Sequence, residues 1–351
     1  MHCITKKGKG FAPAEQNPSK FHGIGPFDPQ TVNAISEIDE ESFSAIFGAK
    51  LCKLASENEK IVAISAAMVD AAGLSDFKDM HPDRCLDVGI AEQNAVSLAA
   101  GLALGGMRPV VAIYSTFLQR AYDQILTEVC LQNLPVVFAI DRAGVTGKDG
   151  ETHQGCFDIA YLSSMPNMTV LAPKDGKELE DMLQFAVNLN GPVAIRYPRA
   201  KATNFGTSEF TGNFKPQPVY ASGLQWKAMG ILACGSMVKE ALDAAQILSA
   251  KGIACDVYNI RTIKPLQEDF LWDIFDKYSK IVTVEDGCLA GGMGHEICGF
   301  YASKLNSPKV KCLGWPDKFI EHGSIAELRA KYGLDAAGIA EKCEEFFETK
   351  A

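Results

Sequence analysis

Residues 109–141 read PVVAIYSTFLQRAYDQILTEVCLQNLPVVFAID, and this stretch decides the fold class. The run Pro109–Tyr114 is short, apolar and rich in β-branched residues, as a buried strand should be. Leu118–Leu131 has the spacing of a helix, and Pro135–Asp141 is a second buried strand. Strand, helix, strand within some thirty residues is a βαβ unit, which implies parallel strands. The same alternation runs outward in both directions. Upstream, Glu41–Asn58 reads as an amphipathic helix with Phe43, Ile46, Phe47, Leu51 and Leu54 on one face. Ile61–Ser65 reads as a strand and Ala91–Gly105 as a helix of small residues and leucine. Downstream, Met168–Ala172 and Pro192–Tyr197 read as strands around a helix over Gly176–Asn188.

The rhythm stops at residues 201–225, which are rich in Gly, Ser, Thr and Pro and read as a linker. It resumes with strands at Ala228–Ala233, Ala254–Asn259, Ile281–Val284 and Lys309–Leu313. Helices are expected at Val238–Ala250, Leu266–Lys277, Met293–Ser303, Ser324–Tyr332 and Ala336–Glu348. Residues 1–40 differ again: MHCIT has the makings of a short strand, and a long Pro- and Gly-containing segment follows. The division is therefore 1–40, an α/β domain over 41–200, a linker over 201–225, and a second α/β domain over 226–351.

Bulk properties agree. The 351 residues suffice for about two domains, and the apolar share of 47% can offset the entropy of ordering them. The net charge of −9 argues against nucleic acid as a partner, because a phosphate backbone needs a basic footprint. Apolar runs such as Val96–Leu104 fall far short of the ~20 residues of a membrane span. The eleven cysteines contain no C-x-x-C pair, and an odd count fits reduced thiols in a cytoplasm better than a disulfide framework.

Ligands of open α/β sheets bind outside the carboxyl ends of the strands. Chemically capable residues gather at those ends. Glu92 follows Asp87-Val-Gly-Ile-Ala at the start of a helix, where a carboxylate commonly does no more than favour the helix dipole. Tyr114, Phe117 and Arg120 lie in the turn after one strand. Asp141, Arg142 and Gly144 end the next, Asp149-Gly-Glu-Thr-His153 follows in a loop, and Arg196-Tyr-Pro-Arg199 ends another. Each has an ordinary structural alternative: core filling for Phe117, a solvated surface position for Arg199, a structural loop residue for His153. The glycine-rich turn before His295 lacks the G-x-G-x-x-G spacing of a nucleotide loop, and it and His322 read as structural.

Taken together these motifs resemble the 1-deoxy-D-xylulose-5-phosphate synthase family of the transketolase superfamily. The resemblance runs along nearly the whole chain through TKKGKG, KFHGIGPFDP, DVGIAEQ, VVAIYSTFLQRAYDQ, LPVVFAIDRAG, DGETHQG, PVAIRYPR, VEDGCLAGGMG and PDKFIEHG. The string YSTFLQRAYDQ followed by DRAG is the most specific of them. The resemblance implies a transketolase-like pyrimidine-binding domain followed by a transketolase C-terminal domain, each a mostly parallel, three-layer α/β structure. It implies thiamine diphosphate and Mg²⁺ as cofactors, and pyruvate and glyceraldehyde 3-phosphate as substrates. The product would serve isoprenoid-precursor and thiamine biosynthesis.

By the same resemblance, Glu92 would hydrogen-bond the aminopyrimidine of the cofactor from an apolar site that keeps its carboxyl protonated, and so favour the imino tautomer. Phe117 would stack on that ring. Arg142 and Arg199 would hold the acceptor's phosphate, with Tyr114 and Arg120 in the same pocket. His153 would move a proton or hold the substrate carboxylate, with Asp149 orienting it, and His22 would lie on a segment over the site.

There are departures from the family. Its N-terminal domain holds the diphosphate and Mg²⁺ through a G-D-G motif and a later Asn, and no G-D-G occurs here. The metal ligands are thus expected elsewhere, on a separate N-terminal half or a full-length enzyme, with this chain starting inside a domain. Asn94 stands where the family usually has His, and Val69, Ala71 and Ala72 alter the string T-A-A-M-P-x-G-T-G-L. A homodimer is expected. Two other readings remain open: the beta subunit of a 2-oxo acid dehydrogenase, and a folded, non-catalytic dimer or binding module.

Overall fold

A computed structural model describes residues 1–18, 21, 27–32, 41–205, 210, 212–223 and 229–349. The chain divides into two units, Met1–Glu40 and Glu41–Ala351. In the first, Met1–Thr5 forms no strand, contrary to expectation. Those residues are exposed and pair with nothing that would satisfy a ladder. A five-residue helix, Ala12–Gln16, follows, and Phe11, Phe21 and Phe27 pack ring against ring at 5.5–5.8 Å.

The second unit holds two sheets. Its strands are β1 (Ile61–Ser65), β2 (Cys85–Asp87), β3 (Arg108–Tyr114), β4 (Val137–Asp141), β5 (Thr169–Leu171), β6 (Val193–Arg196), β7 (Gln217–Ala221), β8 (Met229–Ala233), β9 (Cys255–Asn259), β10 (Thr262–Lys264), β11 (Lys280–Cys288) and β12 (Lys309–Trp315). The first sheet has the order β10-β5-β6-β4-β3-β1-β2 and the second β12-β11-β8-β9-β7. All pairings are parallel except β10 on β5 and β7 on β9. Strands β1, β4 and β6 are buried along their whole length. A parallel sheet covered by helices on both faces demands such continuous apolar runs.

Three differences from the sequence reading matter. The stretch read as a linker contains β7, a half-exposed edge strand whose alternation is masked by flanking Pro and Gly. Strand β10 leaves the second half to close the edge of the first sheet, and one core cluster accordingly joins Val170 and Ala172 to Leu232, Tyr258 and Ile263. Finally, the helix expected over Leu118–Leu131 is broken: a helical turn at Ser115–Leu118, a 3₁₀ turn at Gln119–Ala121, a turn at Tyr122–Gln124 and a π-helix at Ile125–Cys130. Such irregular helix segments are frequent beside functional sites.

Candidate active site

Register places one row of residues at the carboxyl ends of the first sheet. Ser65 stands opposite both Asp87 and Ala112, Tyr114 opposite Asp141, and Ile140 opposite Arg196. The turns leaving these ends carry the expected site residues.

Glu92 is the first residue of the helix Glu92–Leu104, whose N-cap Ala91 offers no side-chain cap. The unsatisfied amides of that end favour an anion. The Glu92 side chain is 2% exposed, and Arg120 donates from Nη1 to its Oε2 at 2.6 Å. Its surroundings are therefore not the purely apolar site expected, because a half-exposed guanidinium reaches it. Arg120, expected among phosphate ligands, is brought to Glu92 by the tight turn at Gln119–Ala121. Asp87 accepts from the amides of Ala67 and Gly89 at 2.8 and 3.0 Å, which fixes the turn leading to Glu92.

A ring cluster forms around Tyr114. Phe117 stacks on it with centroids 5.6 Å apart, and His153 stands perpendicular to Phe117 at 5.4 Å. The Arg142 guanidinium lies 4.0 Å over the Tyr114 ring, a cation–π contact. Burial raises the Tyr114 phenol above its ordinary value, while the charges of Arg142 and Arg199 oppose that rise. These side chains thus share one region.

Arg142 is held from several sides. It donates from Nη1 to Asp141 Oδ2 at 2.5 Å and to the carbonyl of Ala71 at 2.8 Å, and Ser44 donates to the same Asp141 oxygen at 2.7 Å. Asp141 is fully buried, and burial raises its carboxyl above the usual range although Arg142 and Ser44 pull it down. Sequence reasoning quoted Asp141 only as part of a motif and missed Ser44. A buried strand-end carboxylate next to an arginine was the available signal for the first, and nothing signalled the second.

Arg199 donates to Asp149 Oδ2 at 2.7 Å, and both are exposed. Asp149 therefore serves Arg199, whereas His153 Nδ1 lies 2.9 Å from Thr152 Oγ1. The i, i+4 relation of Asp149 and His153 implied a direct partnership, but the loop is a turn and not a helix. The remaining predicted residue, His22, lies outside the described residues. Asn94 follows Glu92 on the exposed side of the helix, and Val69 and Ala72 are buried.

The glycine turn of the second half is closed to ligands. Glu285 is buried and accepts from the amides of Met293 and Gly294, both at 2.8 Å. It occupies the helix end where a phosphate would otherwise bind. Among the described residues, no group of three or more His, Cys, Asp or Glu is arranged to hold a metal ion. No described helix is long and apolar enough to cross a membrane.

Comparison with known proteins agrees with this layout. The transketolase pyrimidine-binding domain matches residues 40–204, and the transketolase C-terminal domain matches residues 226–339. The chain belongs to the transketolase family. Within it, the chain matches the C-terminal portion of the 1-deoxy-D-xylulose-5-phosphate synthases. The synthase of Caldanaerobacter subterraneus subsp. tengcongensis is 48% identical over 344 residues, 97% of this chain and 54% of that protein. Synthase 1 of Geobacter sulfurreducens is 48% identical over 354 residues, 100% of this chain and 55% of that protein. The chain thus spans about half the length of the curated relatives it matches. Among solved structures, a split gene transketolase, inactive beta4 tetramer, superposes with a TM-score of 0.79 at 28% identity, over 88% of this chain and 99% of that one. Transketolase from Campylobacter jejuni shares the fold, with a TM-score of 0.70 at 20% identity over 89% of this chain and 48% of that one.

Proposed function

We propose that this chain supplies the pyrimidine side of a thiamine-diphosphate site that joins pyruvate to glyceraldehyde 3-phosphate, releasing CO2 and forming 1-deoxy-D-xylulose 5-phosphate. The single observation that carries this reading is Glu92, a nearly buried carboxylate at a helix start, held by Arg120 in a chain 48% identical to synthases of that name. The groups at this sheet edge fit the pyrimidine end of the cofactor: a carboxylate, Glu92, to bond an aminopyrimidine, and a half-exposed aromatic ring, Phe117, in the turn after β3 and stacked on Tyr114.

When bound, the cofactor supplies a carbon nucleophile that can store the electrons released on decarboxylation. The chain's own residues do the rest. Glu92 holds the pyrimidine by a hydrogen bond, and Arg120 holds the Glu92 carboxylate in place. Phe117 offers the ring a flat apolar face. Arg142, pinned by Asp141 and the Ala71 carbonyl, and Arg199, tethered by Asp149, face the acceptor's phosphate with guanidinium forks. His153 delivers a proton to the aldehyde oxygen of the acceptor as the carbon–carbon bond forms. The diphosphate and Mg²⁺ are assigned to residues outside this chain, since no G-D-G motif occurs in it.

The domain division at 41–200 and 226–351, a homodimeric assembly and a cytoplasmic setting belong to the same reading. A separate N-terminal partner is favoured by the likeness to a split-gene transketolase chain whose tetramer is described as inactive. The test mixes the chain with a candidate N-terminal half, thiamine diphosphate, Mg²⁺, pyruvate and glyceraldehyde 3-phosphate. Product is expected only in the complete mixture. Equal product without the partner chain would overturn the two-chain reading. An acyl-lipoyl product would point to an oxo-acid dehydrogenase subunit, and no product with any partner to a non-catalytic module.

A further inference from the structure

The loop that carries Asp149 and His153 has a narrow neck. Gly144 and Gly155 close it with a pair of backbone hydrogen bonds, 2.8 and 2.7 Å. On one side the turn after β3 holds it: Thr116 donates to the Thr152 carbonyl at 2.8 Å and Ser115 to that of Gly155 at 3.3 Å. On the other side stands Asp286, a residue of β11 in the second half.

Asp286 is 2% exposed and has a partner on every side. Its Oδ1 accepts from the Val145 amide at 3.0 Å and from Trp315 Nε1 at 2.8 Å. Its Oδ2 accepts from Arg329 Nη2 at 2.8 Å and from Ser236 at 3.4 Å. Its backbone carbonyl accepts from Arg196 Nη2 at 2.8 Å, and Arg196 in turn pairs with the buried Asp158. Gly144 adopts φ +79°, and a Cβ there would run into the Asp286 carboxylate, so the neck and the carboxylate are fitted to one another. Burial would raise this carboxyl, yet Arg329, Trp315 and Arg196 hold it below the usual range. A buried carboxylate kept in its charged form makes strong, directional bonds to amides.

We infer that Asp286 is a positioning residue for the candidate active site, acting from the second half through the Val145 amide on the loop that presents Asp149 and His153. The hold of Asp286 on the loop stands on the contacts alone, and only its bearing on catalysis rests on the function proposed above. A satisfied buried network of this kind rigidifies what it touches. Removing the charge leaves Arg329 with Glu240 at 3.1 Å, so the fold has a remaining partner for the buried cation.

The test is hydrogen exchange on the folded chain carrying Asp286→Asn. Exchange at the Val145, Gly147 and Gly155 amides is expected to rise about tenfold, with β4 and β8 within twofold of the parent. Unchanged neck amides, or a uniform rise everywhere, would overturn the inference. If that variant fails to fold, Trp315→Phe decides by the same rule, because it removes one bond to Oδ1 and keeps the charge pair. In the assembled enzyme, the loss in kcat caused by Asp286→Asn should largely vanish in a His153→Ala background. Full additivity of the two losses would also overturn it. Because exchange needs no turnover, a failure of this inference is distinguishable from a failure of the proposed reaction.

Discussion

Both sheets carry acidic residues near the carboxyl end of a strand that leads into a helix, yet the two edges are put to opposite use. In the first sheet Asp87 fixes a turn, and Glu92 looks out to Arg120, which is 50% exposed. In the turns leaving the same sheet edge Tyr114, Phe117, Arg142 and His153 remain half-buried. In the second sheet Glu285 folds back onto the amides of Met293 and Gly294, and Asp286 is enclosed by Arg329, Trp315 and Ser236. One edge keeps charge accessible, while the other neutralises its charge internally and uses it for support. On the proposed reading two halves of one architecture divide chemistry from framework, so that fold alone does not place function.

The most severe way to break this contrast is Glu92→Gln. Turnover of the assembled enzyme should fall by about a thousandfold or more if, as proposed, the residue holds the group that does the chemistry. Near-normal rates would discredit its assignment. Next comes Glu285, which should affect stability and not chemistry. Burial pushes its carboxyl up to about 7 from an ordinary 4.5, against the two amides and the charge of Arg196, with Asp158 adding to the rise. Between those values the folded state holds a proton that the unfolded chain has lost. The stabilisation present below about 4.5 is therefore lost as pH rises through about 7, a change of up to ~3 kcal/mol. Urea unfolding at several pH values should show a shallower decline for Glu285→Gln than for the parent.

A smaller effect is expected for Arg199→Ala. KM for the phosphorylated acceptor should rise by about ten- to a hundredfold with KM for pyruvate nearly constant, the share of one charge-assisted phosphate contact. Equal rises for both substrates would remove Arg199 from the phosphate site. Least of all, Ser324→Ala opens the capping box with Glu327 at the helix Ile325–Tyr332 and should cost about 1 kcal/mol in thermal or chemical unfolding. The neck amides around Val145 should not respond to it, which separates general stability of the second half from its support of the loop.

Local pattern sufficed for much of this. Ile61–Ser65 is the strand read from its apolar run, and the helix start at Glu92 is where the sequence implied it. Pattern failed where distant residues decide. Thr262–Lys264 is three residues long and carries no periodicity; its partner β5 defines it as a strand. The helix after Tyr114 was read as regular because its leucine and isoleucine spacing is helical, but tertiary packing overrides that preference between Gln119 and Cys130. The pairing of Arg120 with Glu92 and of Arg142 with Asp141 depends on turn geometry that spacing does not encode.

Strand β10 also bears on how the molecule is made. Its antiparallel pairing with Val170 and Leu171 closes an edge of the first sheet with residues that leave the ribosome only after the entire first half. Until then a strand edge stands open, and open edges invite pairing with other chains. A gene cut between the two halves would leave that edge open until the separate chains met, which favours making the halves as one piece.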